Sequence, residues 1–294
     1  MSSQVILPRK RFVLADSLAY VSRHLSRGYG RKLAELLFHY YPAKTGTTVI
    51  HDFDGDISIS LDRGSYISSA IYWSGHHSLP VIKFLRDFLK PEMTFVDVGA
   101  NIGEVTLYAA KRLVRGRVLS FEPVPGIYGQ LGGNVALNHF SHVELFNMGL
   151  YDREDVLPFY SEEENIFGTA NQGLGNVFGG ATDKQDGTVR LRKFDDVARE
   201  AGLQRLDFLK VDVEGAEWMV LKGAEQSICT FRPVIVAESS AGNFEKAGYS
   251  AKDLYSYLES LRYEVRNLVD GSTRLPEECD VLCVPRNPAP VKFH

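Results

Sequence analysis

The sequence has few of the residues that mark several common protein classes. Its 294 residues include only 3 cysteines, which form no zinc-type pairs, and we expect them to be reduced, as in a cytoplasmic protein. No apolar run reaches membrane-spanning length, and no secretory signal is visible at the amino terminus. The net charge of -4 and the lack of a basic stripe argue against a nucleic-acid partner. The remaining class is a globular protein with one large domain and an elaboration.

A short apolar strand, a glycine turn and a helical pattern follow one another from Thr94. This order is typical of the first unit of a nucleotide-binding α/β sheet. The turn reads Asp-x-Gly-x-x-x-Gly, with Asp97, Gly99 and Gly103, where a dinucleotide site would have three glycines around a pyrophosphate. A carboxylate repels phosphates and attracts an ammonium group. The turn therefore predicts a site for S-adenosylmethionine (AdoMet), with Asp97 accepting from its amino group directly or through water, and disfavours an NAD-linked oxidoreductase.

Other residues of the predicted cofactor site follow from their places in the fold. Glu122 ends the second strand, where an acid suits the two ribose hydroxyls, although NAD enzymes also have an acid there. Asn101 offers an amide at the helix entry, either to the ligand or to the turn itself. The segment 147–150 follows the third strand and is expected to lie against adenine, which adds Asn147 and Gly149 to the predicted cofactor site.

The chain is predicted to divide near residue 90. Residues 1–90 read as a helical and small β cap, with two helices in 9–41, short strands in 48–73 and a helix from Leu79 capped by Ser78. The basic amino-terminal helices indicate a packing or homodimer helix, or one at a membrane surface. Residues 91–294 read as the main domain. A glycine-rich loop at 161–187 is either a substrate lid or an inert surface loop.

The main domain alternates strands and helices. Leu206–Val213 is nearly all apolar, as a strand buried on both faces of a parallel sheet requires. A helix is predicted at Glu217–Ile228. Tyr263–Val269 and Val281–Val284 read as an antiparallel pair that closes the sheet, because a short connection joins them. The fold class is therefore α/β, with a Rossmann-like, mostly parallel sheet and an antiparallel carboxyl-terminal hairpin.

The chain resembles the FkbM family of methyltransferases over roughly residues 90–240. The segments that carry the resemblance run 95–103, 121–123, 134–138 and 209–217, the last being Leu-Lys-Val-Asp-Val-Glu-Gly-Ala-Glu. The resemblance implies the class I methyltransferase fold, AdoMet as cofactor with Glu122 and Pro123 in its site, and O-methylation of a sugar, glycolipid or macrocycle. One departure is that a Tyr-Glu pair frequent in the family is replaced by Trp73-Ser74-Gly75-His76-His77-Ser78.

Candidate catalytic residues lie at the ends of later strands. Asp212 ends the fourth strand beside the predicted reactive methyl group, and Glu238 ends the fifth. Acids here, including Glu214, could hold the cofactor ammonium, act as a general base or bind a divalent metal, whereas Glu217 is interpreted as an acid that favours the helix dipole. Lys210 lies within an apolar strand and needs a buried partner, for which one of these acids would suffice.

His77 is the third candidate base, because a neutral imidazole suits a hydroxyl near pH 7. It could equally be an exposed loop residue. Two other functions stay open at this point: methylation of an amine, which needs no strong base, and AdoMet binding without catalysis in a scaffold protein.

Overall fold

The computed structural model describes residues 9–24, 46–161, 175–178 and 185–286. These residues form two compact units that divide after His77. The helix Leu79–Phe88 therefore belongs to the second unit, whereas the predicted boundary at residue 90 assigned it to the first. Among the helices in the described ranges, none is long and apolar enough to cross a membrane.

The described residues of the amino-terminal unit form two helices and a hairpin. Arg23 in the first helix forms an ion pair with Asp52 at 2.9 Å and donates to the Tyr72 carbonyl. The segment after the hairpin is a helix and not a strand as predicted, because Ile67 and Ile71, spaced by one helical turn, are both buried. Most of the predicted 9–41 helical region lies outside the described residues. The elements are α1 Arg9–His24, β1 Thr47–Phe53, β2 Ile57–Asp62 and α2 Tyr66–Ser74.

The carboxyl-terminal unit is built around a seven-stranded sheet. The elements that build it are α3 Leu79–Phe88, β3 Thr94–Val98, α4 Glu104–Arg112, β4 Arg117–Phe121, α5 Pro125–Leu137, β5 Val143–Phe146, β10 Phe208–Val211, β11 Val234–Ser240, α10 Ala251–Ser260, β12 Tyr263–Asn267 and β13 Glu278–Pro285. The strand order is β12-β13-β11-β10-β3-β4-β5, and β13 runs antiparallel to both of its neighbours while the other strands share one direction. This topology is the predicted Rossmann-like sheet with its antiparallel hairpin.

Helices cover both faces of the sheet. Phe95 and Phe208 point to one face, where α3 and α4 pack, and their neighbours Val96 and Leu209 point to the other. Burial on both faces explains why the central strands are almost wholly apolar. Lys210 and Asp97, paired in register on β10 and β3, are buried exceptions.

A second, four-stranded sheet was not predicted from the sequence. Its strands are β6 Gly149–Leu150, β7 Asp155–Ser161, β8 Gly175–Asn176 and β9 Gln185–Arg192. Their order in the sheet is β6-β9-β7-β8, and Val189 and Leu191 contribute to a small apolar core. The glycine-rich loop predicted at 161–187 falls mostly on residues outside the described ranges.

The helix predicted at Glu217–Ile228 is broken into two. The two parts are α7 Glu217–Gly223 and α8 Glu225–Phe231. The helix α6 Phe194–Glu200 precedes β10, and α9 Ala241–Lys246 follows β11. The Asp195 carboxylate accepts from the backbone amides of Gln226 and Ser227, which satisfies the free amino end of α8. One further detail differs from the predictions: Ser78 forms no side-chain cap on α3.

Candidate functional site

The parallel strands β4, β3, β10 and β11 end at one edge of the large sheet, as parallel strands must. Ligands of open α/β sheets bind outside this edge. The glycine turn follows β3, Glu122 follows β4, and Asp212 follows β10, while Glu238 lies within β11. The fold therefore brings most of the predicted site residues to the same edge.

The turn after β3 requires glycine at its first position. Gly99 has φ +76°, and a Cβ atom built on it would lie 1.8 Å from the Asp212 backbone oxygen. The turn is held against β4 because the amides of Gly99 and Ala100 both donate to the Phe121 carbonyl, at 3.1 and 3.0 Å. Gly103 also has a positive φ, +98°. These contacts bring the turn to within van der Waals distance of the end of β10.

Two asparagines stabilise the same turn. Asn101 adopts φ +51°, and its side-chain oxygen accepts from the Ile102 amide at 2.8 Å. The fully buried Asn134 donates from Nδ2 to the Ile102 carbonyl at 2.8 Å. Of the two roles predicted for Asn101, the structure shows the one within the turn, and it adds Asn134, which the sequence analysis did not assign to the site.

Glu122 connects the end of β4 to the turn. Its two carboxylate oxygens accept from the amides of Asn101 at 3.0 Å and Val124 at 2.9 Å. Burial raises the pKa of Glu122 to about 7, and the two amides oppose that rise. Each oxygen keeps a second lone pair for a further donor.

The remaining residues predicted to contact the cofactor lie beside Glu122. Asn147 donates from Nδ2 to the carbonyls of Glu122 at 2.9 Å and Pro123 at 3.0 Å. Gly149 lies against Pro123, because a Cβ on this glycine would be 3.6 Å from the proline Cβ. Glu122, Pro123, Asn147 and Gly149 are therefore neighbours at the end of β4, and their contact with a cofactor stays a prediction.

Asp97 lies beneath the turn and is not exposed. Its Oδ2 accepts from Thr106 Oγ1 at 2.7 Å, and its Oδ1 is 3.1 Å from Lys210 Nζ. Thr106 in turn contacts Ser120 Oγ at 2.8 Å, and all three polar residues are fully buried. Acceptance from the amino group of a ligand by Asp97, directly or through water, stays a prediction. In the structure its oxygens contact Thr106 and Lys210, and Lys210 connects the carboxylate to the turn through the Gly99 carbonyl.

Three carboxylates meet at the end of β10 and β11. One oxygen from each of Asp212, Glu214 and Glu238 lies within 4.8 Å of the others. The Asp212 side chain is 40% exposed, whereas burial and the charges of Asp212 and Glu214 raise the pKa of Glu238 to about 10. At neutral pH the buried Glu238 is therefore protonated, and Asp212 is a solvent-accessible member of the same cluster. Three such groups could ligate a divalent cation, but Lys210 already supplies a cation to Asp212 at 3.4 Å.

The loop that carries Asp212 and Glu214 is organised by Glu217. This completely buried carboxylate accepts from the amides of Val213 at 2.9 Å and Gly215 at 3.0 Å. Burial raises its pKa to about 7. Its position at the start of α7 agrees with the predicted helix-dipole role, but its bonds to the loop are a second role that the sequence analysis did not identify.

His77 belongs to the amino-terminal unit. It is exposed, and its ring meets the edge of the Tyr66 ring at 5.8 Å. Its neighbour His76 packs against Phe53 at 5.2 Å. The candidacy of His77 as a base stays a prediction.

Comparison with known proteins identifies the same region of the chain. The family model described as the methyltransferase FkbM domain matches residues 97–265. Methyltransferase sdnD of Sordaria araneosa is 38% identical over 158 residues, which are 45% of this chain and 60% of sdnD. The antimetabolite synthetase AmbE of Pseudomonas aeruginosa is 34% identical over 199 residues, 58% of this chain and 9% of AmbE.

A more distant relative has a name that states the reaction. The 2-O-methyltransferase NoeI of Sinorhizobium fredii is 24% identical over 165 residues, 53% of this chain and 67% of NoeI. This chain spans less than two thirds of sdnD and a small part of AmbE. The residues that match the family model include Glu122, Asp212 and Glu238.

Proposed function

The chain belongs to the FkbM methyltransferase family, and we propose that it transfers the methyl group of S-adenosylmethionine to a hydroxyl oxygen of a small molecule. The acceptor class proposed is a sugar, glycolipid or macrocyclic natural product. NoeI, a relative named as a 2-O-methyltransferase, supports oxygen as the methylated atom.

The observation that carries the proposal is the charge of the sheet edge beside the glycine turn. AdoMet bears an ammonium and a sulfonium, both cationic, and a ribose with two hydroxyl donors. The edge offers Glu122, Asp212 and Glu214 as acceptors. A pyrophosphate beside the glycine turn would face the carboxylates of Asp212 and Glu214 and be repelled, so this set of acceptors favours AdoMet over NAD.

The proposed roles follow from exposure and bonding. The second lone pairs of the Glu122 oxygens accept from the ribose hydroxyls, and the surface of Pro123, Asn147 and Gly149 lies against the adenine. The glycine turn holds the methionine end. AdoMet supplies an activated methyl group and a neutral thioether leaving group; the protein orients the acceptor and removes its proton.

Asp212 is the proposed general base. Its side chain is 40% exposed, and its Oδ2 lies 3.4 Å from Lys210 Nζ. As the acceptor oxygen bonds to the methyl carbon and the carbon–sulfur bond breaks, the hydroxyl proton passes to the Asp212 carboxylate. Glu238 is protonated at neutral pH in the free protein, which suits contact with the acceptor as a hydrogen-bond donor better than proton removal.

Calorimetric titration with AdoMet, S-adenosylhomocysteine and NAD tests the cofactor. Micromolar binding of the two adenosyl ligands, and none of NAD, is expected. Incubation with methyl-labelled AdoMet and matched panels of hydroxyl and amine acceptors then tests the reaction. Label on amines alone would replace O-methylation by N-methylation, and AdoMet binding with no transfer to either panel would favour a scaffold protein. Binding of NAD in place of AdoMet would remove the proposal.

A further inference from the structure

Lys210 is a buried cation that contacts both sides of the candidate site. It lies in the middle of β10, where the flanking residues Leu209 and Val211 are fully buried. Its ammonium is 3.0 Å from the Gly99 carbonyl oxygen, 3.1 Å from Asp97 Oδ1 and 3.4 Å from Asp212 Oδ2. The Gly99 carbonyl accepts a hydrogen bond from this ammonium, and the two carboxylates form ion pairs with it.

The register of the sheet explains this arrangement. Lys210 is paired with Asp97 on β3, so their side chains leave the sheet on the same face. Asp212 and Gly99 each follow by two residues, a spacing that returns to that face. The ammonium therefore lies between the glycine turn and the proposed base, while its side chain is only 5% exposed and is not placed to contact an acceptor.

The two carboxylates around Lys210 differ in their exposure and in how firmly they are held. Asp97 is fully buried and is also bonded to Thr106, so its position is fixed within the core. Asp212 is 40% exposed and follows the end of β10. A buried lysine beside Asp97 alone would be a counter-ion; the additional contacts to Gly99 and Asp212 extend its effect to the edge of the sheet.

We propose that Lys210 is a positioning residue for methyl transfer. It holds the Asp212 carboxylate at the sheet edge, in the position from which the proposed base would meet the acceptor hydroxyl. The inference rests on the proposed function, because it assigns Lys210 to the base of that reaction. The competing interpretation is that Lys210 only neutralises Asp97 in the core.

A charge-neutral double variant separates the two interpretations. Lys210→Met alone leaves Asp97 buried and unpaired, and that variant can fail to fold. Asp97→Asn with Lys210→Met removes both core charges and retains similar side-chain volumes. Lys83→Met, at an exposed position of α3, is the matched control for the substitution itself. Thermal unfolding monitored by circular dichroism establishes that each variant is folded at the assay temperature.

The readouts are kcat and KM for AdoMet. In the double variant we expect KM for AdoMet to stay within about threefold of wild type and kcat at pH 7 to fall at least tenfold, because Lys210 no longer holds the Asp212 carboxylate. Lys83→Met should keep the wild-type values of both.

A folded double variant with wild-type kcat would overturn the inference and leave Lys210 as a counter-ion. Loss of AdoMet binding with unchanged kcat at saturation would also overturn it, because the effect would then be on the cofactor and not on the base. If wild-type protein binds AdoMet but methylates neither acceptor panel, the proposed function itself is wrong, and this inference falls with it.

Discussion

Gly99 and Asp212 approach so closely that a single methyl group could not fit between them. A Cβ atom on Gly99 would lie 1.8 Å from the backbone oxygen of Asp212 and 2.9 Å from its carbonyl carbon. The contact joins the turn after β3 to the end of β10, which are 113 positions apart in the chain by their residue numbers. The shape of the proposed cofactor site and the position of the proposed base are therefore mechanically linked.

Gly99→Ala should disrupt both the shape of the proposed cofactor site and the position of Asp212. The residue has φ +76°, which costs a non-glycine residue roughly 1–2 kcal/mol, and the clash is with backbone that cannot rotate away. We expect unfolding free energy to fall by about 3 kcal/mol or more, with loss of AdoMet binding in calorimetry. Gly129→Ala is the control: this helical glycine has nothing within 4 Å of a Cβ, so a gain of about 0.5–1 kcal/mol is expected. Equal stability of the two variants would contradict the contact.

Asp212→Asn should reduce turnover far more than cofactor affinity. An amide of the same shape can still accept a hydrogen bond but cannot take the acceptor's proton. We expect kcat to fall by roughly 10²–10⁴-fold, with the dissociation constant for AdoMet changed by about threefold or less. Steady-state kinetics and calorimetry on the same preparation give both values. Comparable losses in kcat and affinity would instead make Asp212 a cofactor ligand.

The large sheet could be predicted from the sequence because its signals are local. The apolar runs of β3 and β10, the glycine turn and the short carboxyl-terminal connection each report structure within a few residues. The four-stranded sheet was missed because β7 and β9 carry polar and exposed residues and pair across a long separation. The break between α7 and α8 depends on Asp195, a capping residue about 30 positions earlier that no local pattern reveals.

The positions of several candidate site residues could be predicted from the sequence, but their hydrogen bonds and ion pairs could not. Glu122, Asn147 and Asp212 lie at the expected edge because strand order places them there. The burial of Asp97 was not predictable, since it depends on the register that brings Lys210 opposite it. A lysine within an apolar strand was the available signal, and it correctly indicated a buried ion pair without identifying which acids form it.

Glu238→Gln should stabilise the protein as pH rises. The folded-state pKa of about 10 lies above the ordinary value of 4.5, so the unfolded chain releases a proton that the folded chain retains. Stability is therefore lost as pH increases from about 4.5 towards 10, and a neutral glutamine removes this loss. We expect melting temperatures to match wild type near pH 5 and to exceed it by several degrees at pH 9, at roughly 2–4 °C for each kcal/mol. Glu245→Gln, an exposed position, should show no such divergence, and a constant difference across pH would contradict the shift.

The proton on Glu238 should also make AdoMet binding depend on pH. A sulfonium placed near Asp212, Glu214 and Glu238 favours their ionised forms, so AdoMet binding should lower the pKa of Glu238 from about 10 and release part of a proton. Affinity for AdoMet should then rise between pH 6 and 8.5. S-adenosylhomocysteine has a neutral thioether in place of the sulfonium, so its affinity should rise less. Calorimetry in two buffers of different ionisation enthalpy measures the released protons directly. In Glu238→Gln the two ligands should show similar pH slopes; equal slopes already in wild type would mean that the sulfonium is not bound beside this cluster.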